Sequence, residues 1–229
     1  MYLTYNVKQY FDKIVDFNNK SVLDFGCNQG NFLLGERNYK NYTGLDIDEN
    51  IIKSNNKNFP EHNWLHYKNY NWQYNVNYTD KEWPTLNHYD VAVAYSVFTH
   101  TDFVEFYDTV SKLTNTCDIV LPTFLSNLDK NNIKEVLQHR SEYFDMYTDD
   151  LVEQIYNKKT VSVLVTTGKQ IHVIENMHNI PHADNTEYML TFYNDDWLKK
   201  KFSCEIVDVT PQFDGILGTQ KCLKLYTAH

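Results

Sequence analysis

Residues 21–30 read Ser21-Val-Leu-Asp-Phe-Gly-Cys-Asn-Gln-Gly30, and shortly afterwards the chain reads Tyr42-Thr-Gly-Leu-Asp46. Ser21 to Phe25 is a short apolar run, the composition of a buried parallel strand. Gly26 and Gly30 bracket a turn, and Asn31-Phe-Leu-Leu opens a helix, expected over roughly 30–37. A strand that ends in a glycine turn and feeds a helix is expected to leave backbone N–H groups pointing into a crevice. Glycine lets a ligand touch the backbone there, because no Cβ stands in the way. Asp46 closes a second apolar run. A carboxylate at the end of a second strand can accept two hydrogen bonds from a ribose diol.

The glycine spacing separates this turn from a dinucleotide site, which has Gly-x-Gly-x-x-Gly. Here Gly26 and Gly30 stand four apart, with Asp24 two residues ahead of Gly26. The run Val22-Leu-Asp-Phe-Gly-Cys-Asn-Gln-Gly30 resembles motif I of the class I S-adenosylmethionine-dependent methyltransferases, apolar-apolar-Asp-x-Gly-Cys-Gly-x-Gly. Asn28 stands where that family has glycine, and Asn is the residue that best tolerates positive φ after glycine. The resemblance implies S-adenosyl-L-methionine as cofactor. It places Asp24, Gly26, Cys27, Asn28 and Gly30 along the cofactor, with Asp24 holding the turn or the methionine amino group. Asp46 takes the ribose, with Ile47 beside it, and Tyr95 follows the fourth strand. The family often uses an acid or Asn after its third strand, and Asn69 and Tyr70 occupy that region without the common Asp. Trp72 and Tyr74 offer either adenine stacking or core packing.

The rest of the chain extends the same layout. Residues 5–17 have helical spacing, and Asp48-Glu49-Asn50 caps a helix to about residue 56. Strands are expected at 63–67, 89–95 and 118–122, the last ended by Pro122, with a helix over 102–113. A helix at 195–202 precedes strands at 204–209 and 221–226, a terminal hairpin. The expected fold is α/β: a doubly wound, mostly parallel seven-stranded sheet with an antiparallel C-terminal hairpin strand. Residues 1–125 and 190–229 form the cofactor-binding core. Residues 126–189 are too long for a connection and read as an inserted substrate cap or lid; a packing or dimerisation element is the alternative. That segment holds helical stretches at 129–143 and 149–157. It also holds a hairpin, in which Val161, Val163 and Val165 run up to Thr167-Gly-Lys169 and Ile171 and Val173 return.

The 229 residues are 42% hydrophobic and carry a net charge of −9, which suits a folded domain and repels phosphate backbones. A small-molecule acceptor is therefore expected rather than nucleic acid. The four cysteines, at 27, 117, 204 and 222, form no Cys-x-x-Cys pair and read as free thiols of a reducing compartment. With no signal sequence or membrane-length apolar run, the cytoplasm is expected and no membrane partner. Nothing in the sequence sets an oligomeric state.

Transfer of a methyl group to oxygen needs alignment and a base. Tyr95-Ser-Val-Phe-Thr-His100 follows the fourth strand, where the resembled family puts acceptor-facing residues. His100 is a candidate base, or else a helix cap or a cover over the cofactor. His172, His178, His182, Glu175 and Asp184 cluster in sequence. His178 and His182 are the further candidate bases. Their spacing matches no metal motif, so no metal is expected, and surface polarity is the plain alternative. The resemblance thus implies a methyltransferase for a small polar acceptor, with O-methylation of a sugar or related metabolite as the reading. The alternatives are a tRNA or protein N-methyltransferase, or a non-catalytic cofactor-binding protein on the same fold.

Overall fold

A computed structural model describes residues 4–33, 38–69, 71, 82–144, 148–175, 186–209 and 219–227. The chain divides into two units. The first comprises Met1–Tyr95, Lys112–Leu121 and Tyr226–His229, and the second Ser96–Ser111 and Pro122–Leu225.

In the first unit, β1 (Ser21–Phe25) lies between β2 (Asn41–Asp46) and β4 (Tyr89–Ala94), with β3 (Asn63–His66) beyond β2; all these pairs are parallel. Every residue of β1 is buried, as a strand between two parallel neighbours requires, Ser21 and Asp24 included. The register sets Asp24 opposite Gly44 and Asp46 opposite His66. Helix α1 (Thr4–Asp12) buries Tyr10 and Phe11. Helix α2 (Glu49–Asn58) starts where the sequence indicates: the Asp48 side chain accepts from the amides of Asn50 and Ile51. After Gly30 the chain makes a single 3-10 turn, Asn31–Leu33; the remainder of the helix expected there lies outside the described residues.

Strand β5 (Cys117–Ser126) corrects one expectation, since Pro122 lies inside it rather than at its end. The ladder with β8 (Thr186–Tyr193) begins only at Leu125. Beside Pro122, the amide of Ser96 is taken by the Thr123 hydroxyl rather than by a strand carbonyl.

In the second unit, β6 (Thr160–Thr166) and β7 (Gln170–Glu175) form the expected hairpin, Val165 opposite Ile171. Gly168 at φ +83° and Lys169 at φ +59° make its turn. β8 pairs antiparallel with β6 and parallel with β5. The sequence reading missed β8, whose last six residues are all buried and so show no alternation. Helices α3 (Phe103–Thr114), α4 (Lys130–Gln138), α5 (Ser141–Phe144) and α6 (Asp149–Ile155) precede the hairpin, α3 lying ahead of β5. Ile133, Leu137, Phe144, Leu151 and Ile155 pack with Val161, Val163, Val165 and Leu190 in one core. Helix α7 (Asp195–Phe202) leads to β9 (Glu205–Val207) and β10 (Gln220–Tyr226), which form the expected terminal antiparallel pair, and β10 lies beside β5. The four cysteines are free. Among the described residues no helix is long and apolar enough to cross a membrane.

Candidate functional site

The turn after β1 is left-handed at alternate positions: Gly26 at φ +73°, Asn28 at +46° and Gly30 at +75°. Asn28 thus adopts the conformation that its replacement of glycine demands. The amides of this turn do not point into a crevice, contrary to the expectation from sequence. Gly26 and Cys27 both donate to the Leu45 carbonyl, Asn28 to Asp46 Oδ2, Gln29 to the Asn28 side chain, and Gly30 to the Cys27 carbonyl. The cause is the parallel register, which brings the end of β2 beside the turn, so that its carbonyl and carboxylate take up the donors.

Asp46 organises this end of the sheet. Its Oδ2 accepts from Asn28 at 2.9 Å and its Oδ1 from the amide of Asp48 at 2.9 Å. Each oxygen has a second lone pair, so the carboxylate keeps acceptor capacity for a diol. Burial raises its pKa above the ordinary carboxylate value, against the lowering effect of the amides of Asp48 and Asn28. Ile47 presents its carbonyl to His66 Nε2 at 3.1 Å. Asn69 is buried and donates its amide to the Tyr67 carbonyl.

Other motif side chains face the interior. Asp24 is buried and accepts from the Tyr42 hydroxyl at 2.6 Å. The Cys27 thiol is buried, which pushes its pKa far up and leaves it unreactive. A Cβ on Gly44 would collide with the Trp64 ring, and one on Gly30 would stand 3.1 Å from Trp64 Cη2. Gly30 therefore serves close packing as well as the turn.

Asn55 was not singled out from the sequence. It is buried on α2 and donates from Nδ2 to the Asn28 carbonyl at 2.6 Å. A lone Asn in a polar helix carries no signal of such a role. Tyr95 packs edge-on against Tyr10 and Phe11, and its buried hydroxyl has no hydrogen-bond partner among the described residues. An orphaned hydroxyl in a protein without ligand marks a place where a ligand can supply the partner. Together with the spare acceptors of Asp46, it makes these residues a fit for a nucleoside-bearing cofactor.

In the second unit, Ser96 takes φ +58°. A closed ring of hydrogen bonds holds it there. The Ser96 amide donates to Thr123 Oγ1 (2.8 Å), that hydroxyl donates to Gln220 Oε1 (2.7 Å), and Gln220 Nε2 donates to Ser96 Oγ (3.1 Å). The turn Phe98–His100 follows. His100 is partly buried, and its Nδ1 lies 2.9 Å from the Met189 carbonyl. A carbonyl only accepts, so the proton sits on Nδ1 and Nε2 carries the lone pair. Burial pushes the pKa of His100 down to about 4, the Met189 bond opposing this and the Arg140 charge adding to it. The helix that follows is capped by Asp102, whose carboxylate accepts from the Glu105 amide, and not by His100. His172 is exposed on β7, within 3.4 Å of the Thr166 hydroxyl. Tyr70, Trp72, Tyr74, His178, His182 and Asp184 lie outside the described residues. Among the described residues no three His, Cys, Asp or Glu side chains converge as a metal site.

Residues 23–117 match the methyltransferase domain family. No curated protein sequence matches the chain. An S-adenosylmethionine-dependent methyltransferase from Clostridium acetobutylicum ATCC 824 superposes with a TM-score of 0.50 at 10% identity, over 98% of this chain and 90% of that one. Magnesium protoporphyrin IX methyltransferase from Synechocystis PCC 6803, with bound S-adenosylhomocysteine, gives 0.51 at 9% identity, over 98% and 82%. The glycopeptide N-methyltransferase MtfA, also with S-adenosylhomocysteine, gives 0.51 at 8%, over 98% and 90%. The match to the methyltransferase domain covers residues 23–117, and the chain shares the Rossmann-like α/β fold of these structures.

Proposed function

We propose that the protein methylates a hydroxyl of a small polar acceptor, a sugar or sugar-derived metabolite, in the cytoplasm. The cofactor supplies an activated methyl on sulfonium when bound. Asp46 accepts the ribose hydroxyls with Ile47 beside them, Asn69 serves the adenine side, and Tyr95 offers its hydroxyl. Gly26, Cys27, Asn28 and Gly30 shape the turn, which Asp24 and Asn55 support from beneath. Tyr70 completes the adenine side.

His100 carries the oxygen-acceptor reading. Its imidazole is neutral at physiological pH, with the Nδ1 proton committed to Met189 and Nε2 basic. That tautomer suits removal of a hydroxyl proton. His178 and His182 are the competing bases, on a segment, 126–189, that we assign to covering the acceptor. The net charge of −9 favours a small acceptor over nucleic acid. Free thiols, three of the four buried, suit a reducing compartment.

The test is turnover of methyl-labelled S-adenosylmethionine with the small-molecule fraction of a lysate. Label in a polyhydroxylated product, stable to mild base, is the expected outcome. Label appearing only in tRNA or protein would overturn the small-acceptor reading.

A further inference from the structure

Arg140, between α4 and α5, is one of two arginines in the chain; Arg37 is the other. Its guanidinium lies over the Tyr188 ring, 5.8 Å from the centroid. Tyr143 stacks on the same ring at 4.2 Å with the planes 3° apart. The His100 ring meets Tyr188 edge-on at 5.5 Å. One tyrosine therefore carries the candidate base and a guanidinium on the same aromatic body.

Arg140 is partly buried, yet it makes no ion pair with an Asp or Glu among the described residues. A guanidinium withdrawn from water is normally paired, because its planar fork of donors is matched by a carboxylate. A half-buried guanidinium without a carboxylate partner among the described residues offers its fork to an anion from outside. Arg140 and His100 both lie against the Tyr188 ring, and the Arg140 charge lowers the pKa of His100. A single guanidinium balances a monoanion. A phosphate dianion would call for further cations, and the net charge of −9 opposes its approach.

We propose that Arg140 is the anion subsite of the acceptor, binding a carboxylate through its guanidinium with the Tyr143–Tyr188 stack as a wall, so that the substrate class is hydroxy acids such as sugar acids. The proposal rests on the reading of His100 as the acceptor-side base. The acceptor's carboxylate anchors it on Arg140 and its hydroxyl lies toward His100.

Because only two arginines exist, protein labelled with 15N-arginine shows two side-chain Nε–H signals, which R140K and R37K assign. The protein, saturated with S-adenosylhomocysteine, is titrated with D-glucuronate, with the neutral D-glucuronamide, and with inorganic phosphate. The Arg140 signal is expected to shift saturably with glucuronate, at an affinity roughly tenfold or more above that for the amide. No shift with glucuronate, or equal response to the amide, overturns the subsite. A tighter response to phosphate than to glucuronate overturns its assignment to carboxylates. Binding of S-adenosylhomocysteine to the same sample is scored separately. A carboxylate response without it preserves the subsite and removes the methyltransferase reading, and the reverse result removes the subsite alone.

Discussion

Asp46 Oδ2 accepts the backbone amide of Asn28 at 2.9 Å, from the end of one parallel strand to the turn that ends its neighbour. The same carboxylate takes the amide of Asp48. Its position is thus set before any ligand arrives, which removes an ordering cost from binding.

D46A should cost the cofactor site both ribose acceptors. Two hydrogen bonds to a charged group correspond to roughly 100-fold or more in affinity for S-adenosylhomocysteine. Calorimetric titration checks this, and unchanged affinity would remove Asp46 from the site. Binding should also weaken on acidification sooner than an ordinary Asp would give, because burial raises the Asp46 pKa and the neutral acid is a poorer acceptor.

Asn55 should act on the same turn from below. N55A leaves the Asn28 carbonyl without its buried donor, a loss of about 1–3 kcal/mol. Denaturant unfolding should show that loss, and cofactor affinity should fall with it. N55D should be worse than N55A, since it sets a carboxylate against the carbonyl.

The two motif glycines should separate. G26V should abolish binding of S-adenosylhomocysteine even where the fold survives, the left-handed φ of +73° at Gly26 costing stability as at Gly30. G30A should instead lower stability, since Gly30 is at φ +75° and a Cβ would press on Trp64 and Phe59; the left-handed conformation alone costs about 1–2 kcal/mol. Thermal melts with and without ligand distinguish the two. Unfolding by G26V would make that glycine structural.

Much of this was legible because parallel strands buried on both faces leave mostly apolar runs. Ser21–Phe25 and Tyr89–Ala94 are such runs, and Asp48 marked the start of α2 through its own capping chemistry. The same burial hid β8, whose last six residues are all buried and show no alternation. Pro122 misled because a missing N–H ends a strand only where the ladder needs it. The site was legible where side chain and role coincide, as at Asp46. It was hidden where the role belongs to tertiary contact. Asn55, Thr123 and Gln220 are ordinary polar residues until the fold brings them to Asn28 and Ser96.

His100 offers the clearest pH test. Its lone pair is on Nε2 and its pKa lies at about 4, so the neutral form persists well below the range of an ordinary histidine. If it is the base, kcat/KM should stay level down to about pH 5 and fall only near 4. A base at His178 or His182 with an ordinary pKa would put the acid limb near pH 6.5. H100N keeps a donor for Met189 and deletes Nε2, so kcat should fall by roughly 100-fold to 10,000-fold while cofactor binding stays near normal. Stability supplies an independent readout. Between about pH 6.5 and 4 the unfolded chain takes up a proton at this position that the native state refuses, so the native state loses stability as pH falls through that window. H100N should remove this contribution and flatten the stability profile there. Full turnover in H100N, with H178A and H182A equally active, would sink the histidine-base mechanism and favour an acceptor, such as nitrogen or carboxylate, for which alignment alone suffices.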